Sequence, residues 1–352
     1  MCDKVINKIS SLWKTKNVET SSFVFKLVTK YTVCMLLLFA LIIGGMQLFG
    51  ESISCFSSGK AQHDVMDYQC WIKNDINLQR IKYGYAKKIY KSEEEKYLKI
   101  GFYGWIVPLL LFQAFCFVVP RIHWHYKQQQ TIPKALKKLS TNELTDDWIR
   151  QRTQLIGYVK NIQKSQYRLF AFRYLSYEFI TIVLNILVML LMNLVIDDFW
   201  NVYEPAAKSL LFLDLSRLYQ TSALQFPKQA NCHFSTYDFK LTRHSDSVCT
   251  FPYNGFNAKI FAFLYIWYIF ILTWTVLHLL IMIVLFSFQC FRLRLIRRML
   301  GRPATVCECK HLSENGDVGL WFLLRIFRRN MHLAHFQDLC TGLLTGSSLS
   351  NS

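Results

Sequence analysis

Residues 99–124 read KIGFYGWIVPLLLFQAFCFVVPRIHW. From Ile100 to Pro120 the stretch carries no charge for 21 residues. At about 1.5 Å per helical residue this run reaches roughly 30 Å, the thickness of a bilayer's hydrocarbon core. Lys99 and Arg121 close its two ends, and Trp105 and Trp124 lie near the boundaries, where amphipathic aromatic rings settle among the headgroups. The pattern predicts a membrane-spanning helix.

Three other uncharged runs are long enough to cross a bilayer. The four predicted spans are 31–50, 100–120, 179–196 and 260–291, with 20, 21, 18 and 32 residues. Because the last run is longer than a bilayer is thick, we expect its helix to tilt or to project out of the membrane. The sequence therefore predicts an all-α integral membrane protein.

The composition supports this class. Of the 352 residues, 52% are hydrophobic and only 18% are charged, which is unusual for a soluble protein. The net charge of +18 is spread over the segments between the apolar runs, so it does not form the clustered basic face of a nucleic-acid-binding domain. The chain contains no phosphate loop, HExxH or GxSxG motif, which argues against an enzyme and against a bound cofactor.

Four spans place both termini on the same side of the membrane. The terminal segments 1–30 and 292–352 and the middle loop 121–178 hold 26 Lys and Arg in 149 residues. The loops 51–99 and 197–259 hold 15 in 112 residues. Since cytoplasmic segments are enriched in Lys and Arg, both termini are predicted to be cytoplasmic.

The cysteines are consistent with this orientation. Of 11 cysteines, the two outer loops hold two each, namely Cys55 and Cys70 in 51–99 and Cys232 and Cys249 in 197–259. An even number in each loop is typical of disulfides formed in an oxidising compartment. Four cysteines allow three pairings, and their spacing does not choose among them.

Several motifs resemble the innexins, the gap-junction proteins of invertebrates and of some insect viruses. The second span opens with Phe102-Tyr103-Gly104-Trp105-Ile106 and closes with Pro120-Arg121, and Arg173-Tyr174 and Glu178 precede the third span. Other short motifs also resemble innexin sequences. They occur along the chain in the same order as in that family, from about residue 20 to residue 340. The family signature is usually written Tyr-Tyr-Gln-Trp-Val, so Gly104 stands where a glutamine is usual.

The resemblance implies a fold and a set of partners. It implies four transmembrane helices, a helical cytoplasmic subdomain and two outer loops joined by Cys55–Cys249 and Cys70–Cys232, whereas two disulfides within the loops are the alternative. It implies a homo- or hetero-oligomeric ring of innexin-like subunits in the plasma membrane, able to dock with a hemichannel of an adjacent cell. It also implies that Met1–Ser22 and residues near Gly45–Phe56 line the pore.

Both long segments on the cytoplasmic side contain helical patterns. Ser140–Glu143 has the form of a capping box, and Trp148, Leu155, Ile156, Val159 and Ile162 then recur at helical spacing. Such a helix either packs within a cytoplasmic subdomain or binds anionic lipid headgroups. Residues 317–344 predict a second helical unit, and the polar end 345–352 is predicted to be disordered.

Three groups of side chains are candidates for chemistry. His123 and His125 flank Trp124 at the inner interface, where they are candidates for pH sensing or for interfacial anchoring. Cys307, Cys309 and His311 supply three metal-ligand donors, fewer than a closed tetrahedral site needs, so reduced or lipidated thiols are favoured and no metal site is predicted. His278 lies in the fourth span and is expected to form a hydrogen bond between helices.

Two functions fit these observations. The first is a subunit of a gap-junction channel or hemichannel that passes ions and small molecules by diffusion. The second is a non-conducting adhesion or accessory subunit that modifies another channel, suggested by Gly104 and by the N-terminal residues, which share little with the family.

Overall fold

The computed structural model contains four helices that are long and apolar enough to cross a membrane. They are Phe23–Phe49 (α1), Ile106–Thr131 (α2), Lys164–Val195 (α4) and Asn254–Ser287 (α5). These spans confirm the predicted all-α membrane fold class. The structure describes residues 20–56, 66–67, 70–71, 76–77, 103–131, 146–161, 164–196, 199–201, 203–204, 208, 216, 226, 228–238, 241–301, 305–312 and 317–348.

Shorter helices and strands lie between and after the spans. The helices are Asp146–Asn161 (α3), Gln289–Leu300 (α6), Val306–Leu312 (α7), Val318–Asn330 (α8) and Leu333–Ser348 (α9). The strands are Ser54–Phe56 (β1), Ile76–Asn77 (β2), Gln229–Asp238 (β3) and Leu241–Thr250 (β4).

The helices extend beyond the uncharged runs that mark the predicted spans. Helix α1 begins at Phe23 rather than at residue 31, and the hydroxyl of Ser22 caps it by accepting a hydrogen bond from the Phe25 amide. Helix α4 begins at Lys164 rather than at residue 179, and α2 continues past Pro120 to Thr131. The reason is that charge limits how much of a helix can lie in hydrocarbon, whereas backbone hydrogen bonding continues through charged residues.

The fourth apolar run, 260–291, is not a single helix. Helix α5 begins at Asn254 and ends at Ser287, Phe288 is extended, and α6 begins at Gln289. The guanidinium of Arg292 donates hydrogen bonds to the carbonyl oxygens of Leu285 and Phe286, at 2.8 and 2.6 Å. It therefore satisfies carbonyl groups that the end of a helix leaves without partners.

The two prolines of α2 lie at different places in the helix. Pro108 lies in the first turn of α2, where its missing N–H has no intrahelical partner in any case. Pro120 does not end the helix but is buried inside it. A proline within a helix removes one hydrogen bond, a loss that packed neighbours in a membrane bundle can tolerate.

The C-terminal region is more helical than predicted. Helix α9 continues to Ser348 and so includes four residues of the segment 345–352 that was predicted to be disordered. Extending an existing helix fixes only one residue per added hydrogen bond, so polar residues can continue it. The predicted capping box Ser140–Glu143 lies outside the described residues, and α3 begins after it, at Asp146.

One of two compact units comprises residues 1–29, 119–183 and 273–352. Its core is aromatic: Trp124 stacks on Phe170, with ring centroids 5.2 Å apart, and Phe322 contacts Phe170 and Tyr174 at 5.8 and 5.1 Å. Trp148, Leu155 and Val159 of α3 are buried in the same core. This packing supports the interpretation that α3 belongs to a packed subdomain.

The other unit comprises residues 30–118 and 184–272. Its four-stranded antiparallel sheet has the order β1-β4-β3-β2. An aromatic cluster lies at the start of α5, where Phe199 contacts Tyr203 at 4.7 Å and Trp200 contacts Tyr265 at 4.8 Å between ring centroids. The strands lie in the two segments predicted to be outer loops.

Gly319 provides a test of the helix packing in the first unit. A Cβ atom there would lie 2.5 Å from the backbone of Tyr167 and Arg168, whereas one at Gly157 of α3 would have no neighbour within 4 Å. We therefore expect Gly319→Ala to destabilise the protein by about 1–3 kcal/mol through overpacking, and Gly157→Ala to stabilise α3 by up to about 1 kcal/mol. The melting temperatures of the purified variants in detergent measure both effects, and equal values would contradict the packing.

Candidate functional site

Two disulfides connect the two segments that supply the strands of the sheet. They join Cys55 to Cys249 and Cys70 to Cys232. Cys55 and Cys249 are directly opposite each other in the β1–β4 ladder, and Cys232 lies in β3. These are the two pairings that the family resemblance implies.

The two disulfides lie close together around one buried hydroxyl. The Ser247 Oγ is 3.9 Å from the Cys70 Sγ and 3.8 Å from the Cys249 Sγ, and it donates a hydrogen bond to the Cys232 carbonyl at 3.2 Å. All four cysteines are buried. Their sulfurs are bonded to each other and are not thiolates, so the cluster is a covalent staple and not a metal site.

A buried polar network surrounds Glu178 of α4. Its Oε1 accepts hydrogen bonds from the Tyr174 hydroxyl at 2.5 Å and from the Ser22 hydroxyl at 3.1 Å. Its Oε2 lies 3.0 Å from Nδ1 of His278 on α5. Glu178 is 5% exposed, so one carboxylate connects the start of α1 to two of the other spanning helices.

The same region holds the first described residues of the chain. The Ser22 amide donates to the Tyr174 hydroxyl at 2.8 Å, and the Trp124 Nε1 donates to the Thr20 Oγ1 at 3.1 Å. Arg329 of α8 donates to the Ser21 carbonyl at 3.0 Å. The chain is thus fixed immediately after the segment 1–19, which lies outside the described residues.

Sequence reasoning predicted a hydrogen bond for His278 but did not predict its partner. The predicted third span begins at residue 179, one residue after Glu178, whereas α4 begins at Lys164 and includes Glu178. The signal was present, because Tyr174 and Glu178 are four residues apart and share one face of a helix.

The second unit has its own polar contacts between spanning helices. The Tyr268 hydroxyl donates to the Gln113 Oε1 at 2.6 Å, and both side chains are buried. Gly50, which follows α1, lies so close to Tyr253 that a Cβ atom would be 2.0 Å from the tyrosine oxygen. A larger residue at position 50 would have to displace the Tyr253 ring.

Comparison with known proteins agrees with this architecture. The innexin family model matches residues 21–346. Innexin inx4 of Anopheles gambiae is 31% identical over 343 residues, which cover 93% of this chain and 87% of that protein. Innexin shaking-B of Drosophila melanogaster is 27% identical and innexin inx4 of the same fly is 26% identical, each over at least 93% of both chains.

The chain belongs to the innexin family.

The segments that the innexin resemblance assigns to the pore are partly described. Met1–Glu19 lie outside the described residues. In the segment Gly45–Phe56, three large apolar side chains are exposed on the single chain, and no atom lies within 4 Å of a Cβ built at Gly45. The three are Leu48, Phe49 and Phe56. Their exposure on the described part of the chain makes the end of α1 and strand β1 available for a pore or for a neighbouring subunit.

The innexin signature lies at the entrance of the second span. Tyr103, Gly104 and Trp105 form a single 3-10 turn before α2, and Phe102 lies outside the described residues. A Cβ atom at Gly104 would meet nothing within 4 Å. Within the described part of the chain, the turn therefore has room for the glutamine that is usual in the family.

The other candidate residues have separate environments. The Tyr177 hydroxyl is 3.0 Å from the exposed His123 Nδ1, whereas the Nδ1 of His125 is buried without a hydrogen-bond partner among the described residues. Their role in pH sensing stays a prediction.

Cys309 is buried, and burial, followed by the charge of Glu308, raises the pKa of its thiol. The side chains of Cys307 and His311 are not among those described.

The disulfide pairing predicts a specific peptide map. Proteolysis without reduction, followed by mass spectrometry, should link the peptide containing residue 55 to that containing 249, and the peptide containing 70 to that containing 232. Reduction should release all four. Linkage of residue 55 to residue 70 would contradict the pairing.

The Glu178 network predicts a large cost for removing one carboxylate. Glu178→Ala leaves Tyr174, Ser22 and His278 buried without their shared acceptor, and we expect it to reduce the free energy of unfolding by about 3 kcal/mol. A thermal melt of the purified protein in detergent would show this as a lower melting temperature.

The matched control is Glu204→Ala. Glu204 is exposed, and its ion pair with Lys208 at 2.7 Å joins residues four apart on the surface. Such a pair contributes only about 0.3–0.5 kcal/mol, so the control should melt close to the unmodified protein. Equal melting temperatures for the two variants would show that the Glu178 network is not a stabilising element.

Proposed function

We propose that this protein is a subunit of an oligomeric gap-junction channel or hemichannel, which passes ions and small molecules by diffusion. Membership of the innexin family is the observation that carries the proposal. The four spanning helices and the two disulfides between the predicted outer loops agree with it.

The pore is proposed to form between subunits and not within one. Buried polar side chains of the spans form pairs inside the chain, as in Glu178–His278 and Gln113–Tyr268. Large apolar side chains are exposed on every span, among them Leu41, Phe115, Leu190 and Leu277. Surfaces of this kind fit lipid and neighbouring subunits, so a ring of several copies is needed to enclose a wide aqueous path.

The termini are proposed to be cytoplasmic and the sheet extracellular, with the protein in the plasma membrane. Disulfides persist in oxidising compartments, which supports an outer location for the four bonded cysteines. Four spans then return the C-terminus to the side of the N-terminus.

The hairpin of β3 and β4 is the proposed docking element between cells. Its strands pair with each other along their whole length, but β1 pairs only with residues 248–250 and β2 only with 231–232. In the described part of the chain, the outer edges of 233–238 and 241–247 therefore carry no further strand. Exposed strand edges readily contact another chain, here the same hairpin of a subunit in the adjacent membrane.

Voltage clamp of paired cells that express this protein alone tests the proposal. We expect current between the cells and, in single cells, current through undocked hemichannels. Deleting residues 235–244, which form the hairpin tip, should abolish the current between cells and preserve the single-cell current, whereas the exposed control Glu204→Ala should preserve both. Surface labelling confirms that each variant reaches the plasma membrane. Silence of the unmodified protein in both recordings, with the protein at the surface, would contradict a channel formed by this chain alone.

A further inference from the structure

Helix α6 begins two residues after the end of α5 and has two contrasting faces. Arg292, Ile296 and Leu300 are buried on one face. The opposite face is exposed and consists of residues 290, 291, 294, 297 and 298, which occupy one side of a helix at 100° per residue. The twelve residues QCFRLRLIRRML include four arginines and no acidic residue. The exposed face carries three of these charges.

The four arginines are used differently. Arg292 points inward, where it donates to the carbonyl oxygens of Leu285 and Phe286 and fixes the start of α6 against the end of α5. Arg294 lies over the ring of Phe291, 6.0 Å from its centroid. Among the residues that the structure describes, Arg294, Arg297 and Arg298 have no ion-pair partner.

The position of α6 along the chain places it beside the bilayer. Large apolar residues are exposed along α5 from Phe263 to Val284. At about 1.5 Å per residue this stretch is roughly 32 Å long, close to the thickness of the hydrocarbon core. Phe288 and Phe291 follow, both exposed, with their rings 6.1 Å apart. Exposed Phe side chains on a basic helix fit the boundary between the headgroups and the acyl chains.

We propose that the exposed face of α6, defined by Cys290, Phe291, Arg294, Arg297 and Arg298, binds the anionic phospholipid headgroups of the leaflet at which α5 ends. The charge of the face is complementary to such a surface, and the face continues directly from a membrane-spanning helix. Arg292 holds α6 so that the three outward arginines reach the headgroups together. This interaction does not depend on whether the assembled protein conducts.

Cys290 offers a native probe because its side chain is exposed on this face. The full-length protein is reconstituted in nanodiscs of phosphatidylcholine, either alone or mixed with phosphatidylserine, and treated with an uncharged polyethylene-glycol maleimide. The rate of modification at Cys290 is measured by peptide mass spectrometry. We expect modification to be at least about tenfold slower with phosphatidylserine, since each basic residue near an anionic surface contributes about a fivefold preference.

The variant that tests the charges combines Arg294→Gln, Arg297→Gln and Arg298→Gln. It should remove the phosphatidylserine dependence, so that Cys290 reacts at the same rate in both discs. High salt should also speed the modification of Cys290 in the unmodified protein in phosphatidylserine discs, because salt screens charges at a surface.

The control variant combines Arg150→Gln, Lys160→Gln and Lys310→Gln, which removes three exposed charges from α3 and α7. It should keep the slow modification in phosphatidylserine. Identical elution of both variants and the unmodified protein in gel filtration shows that the assemblies are intact.

Two outcomes would overturn the proposal. Fast modification of Cys290 in both kinds of disc would mean that the face is exposed to water. Slow modification in both would mean that protein, such as a neighbouring copy of the chain, covers the face. Neither outcome bears on the recordings from paired cells, so failure here is separable from failure of the proposed channel function.

Discussion

A carboxylate buried among membrane-spanning helices must find its hydrogen-bond donors within the protein, and Glu178 does so from three directions. Tyr174 supplies one donor from the preceding turn of α4, Ser22 supplies one from the start of α1, and His278 contacts the second oxygen from α5. Because an unpaired charge in this setting costs several kcal/mol, the three elements are constrained together. The first described residues are thereby held at a fixed place, which matters if the segment before them enters a pore.

At the sheet the constraint is covalent. The disulfides join β1 to β4 and the segment around Cys70 to β3, so residues far apart in sequence are held in one small sheet. A sheet of two short and two long strands has little hydrophobic area with which to stabilise itself. The bonds therefore provide stability that packing alone would not.

The spans were predictable because apolar length is a direct physical requirement of a bilayer, and the alternation of runs and loops follows from it. The helix ends were not predictable from the same signal, since α1 and α4 continue through Lys26 and Arg173. Spacing could not choose the disulfide partners, because any pairing of four cysteines satisfies it; the choice came from resemblance to a family. The sequence does not single out Glu178 as part of a buried network, because Glu178 lies one residue before the uncharged run 179–196 that defines the predicted span.

The break after α5 shows how a single side chain can direct a membrane helix. An uninterrupted apolar run from 260 to 291 gives no reason to stop a helix, and Ser287 and Phe288 are not strong helix breakers. The break leaves the carbonyl groups of Leu285 and Phe286 without backbone amide partners. The guanidinium of Arg292 donates hydrogen bonds to both carbonyls and so makes the break favourable. Burial lowers the pKa of Arg292, but an arginine remains charged at neutral pH. The cap is therefore permanent, and the direction of α6 is set independently of the charges on its exposed face.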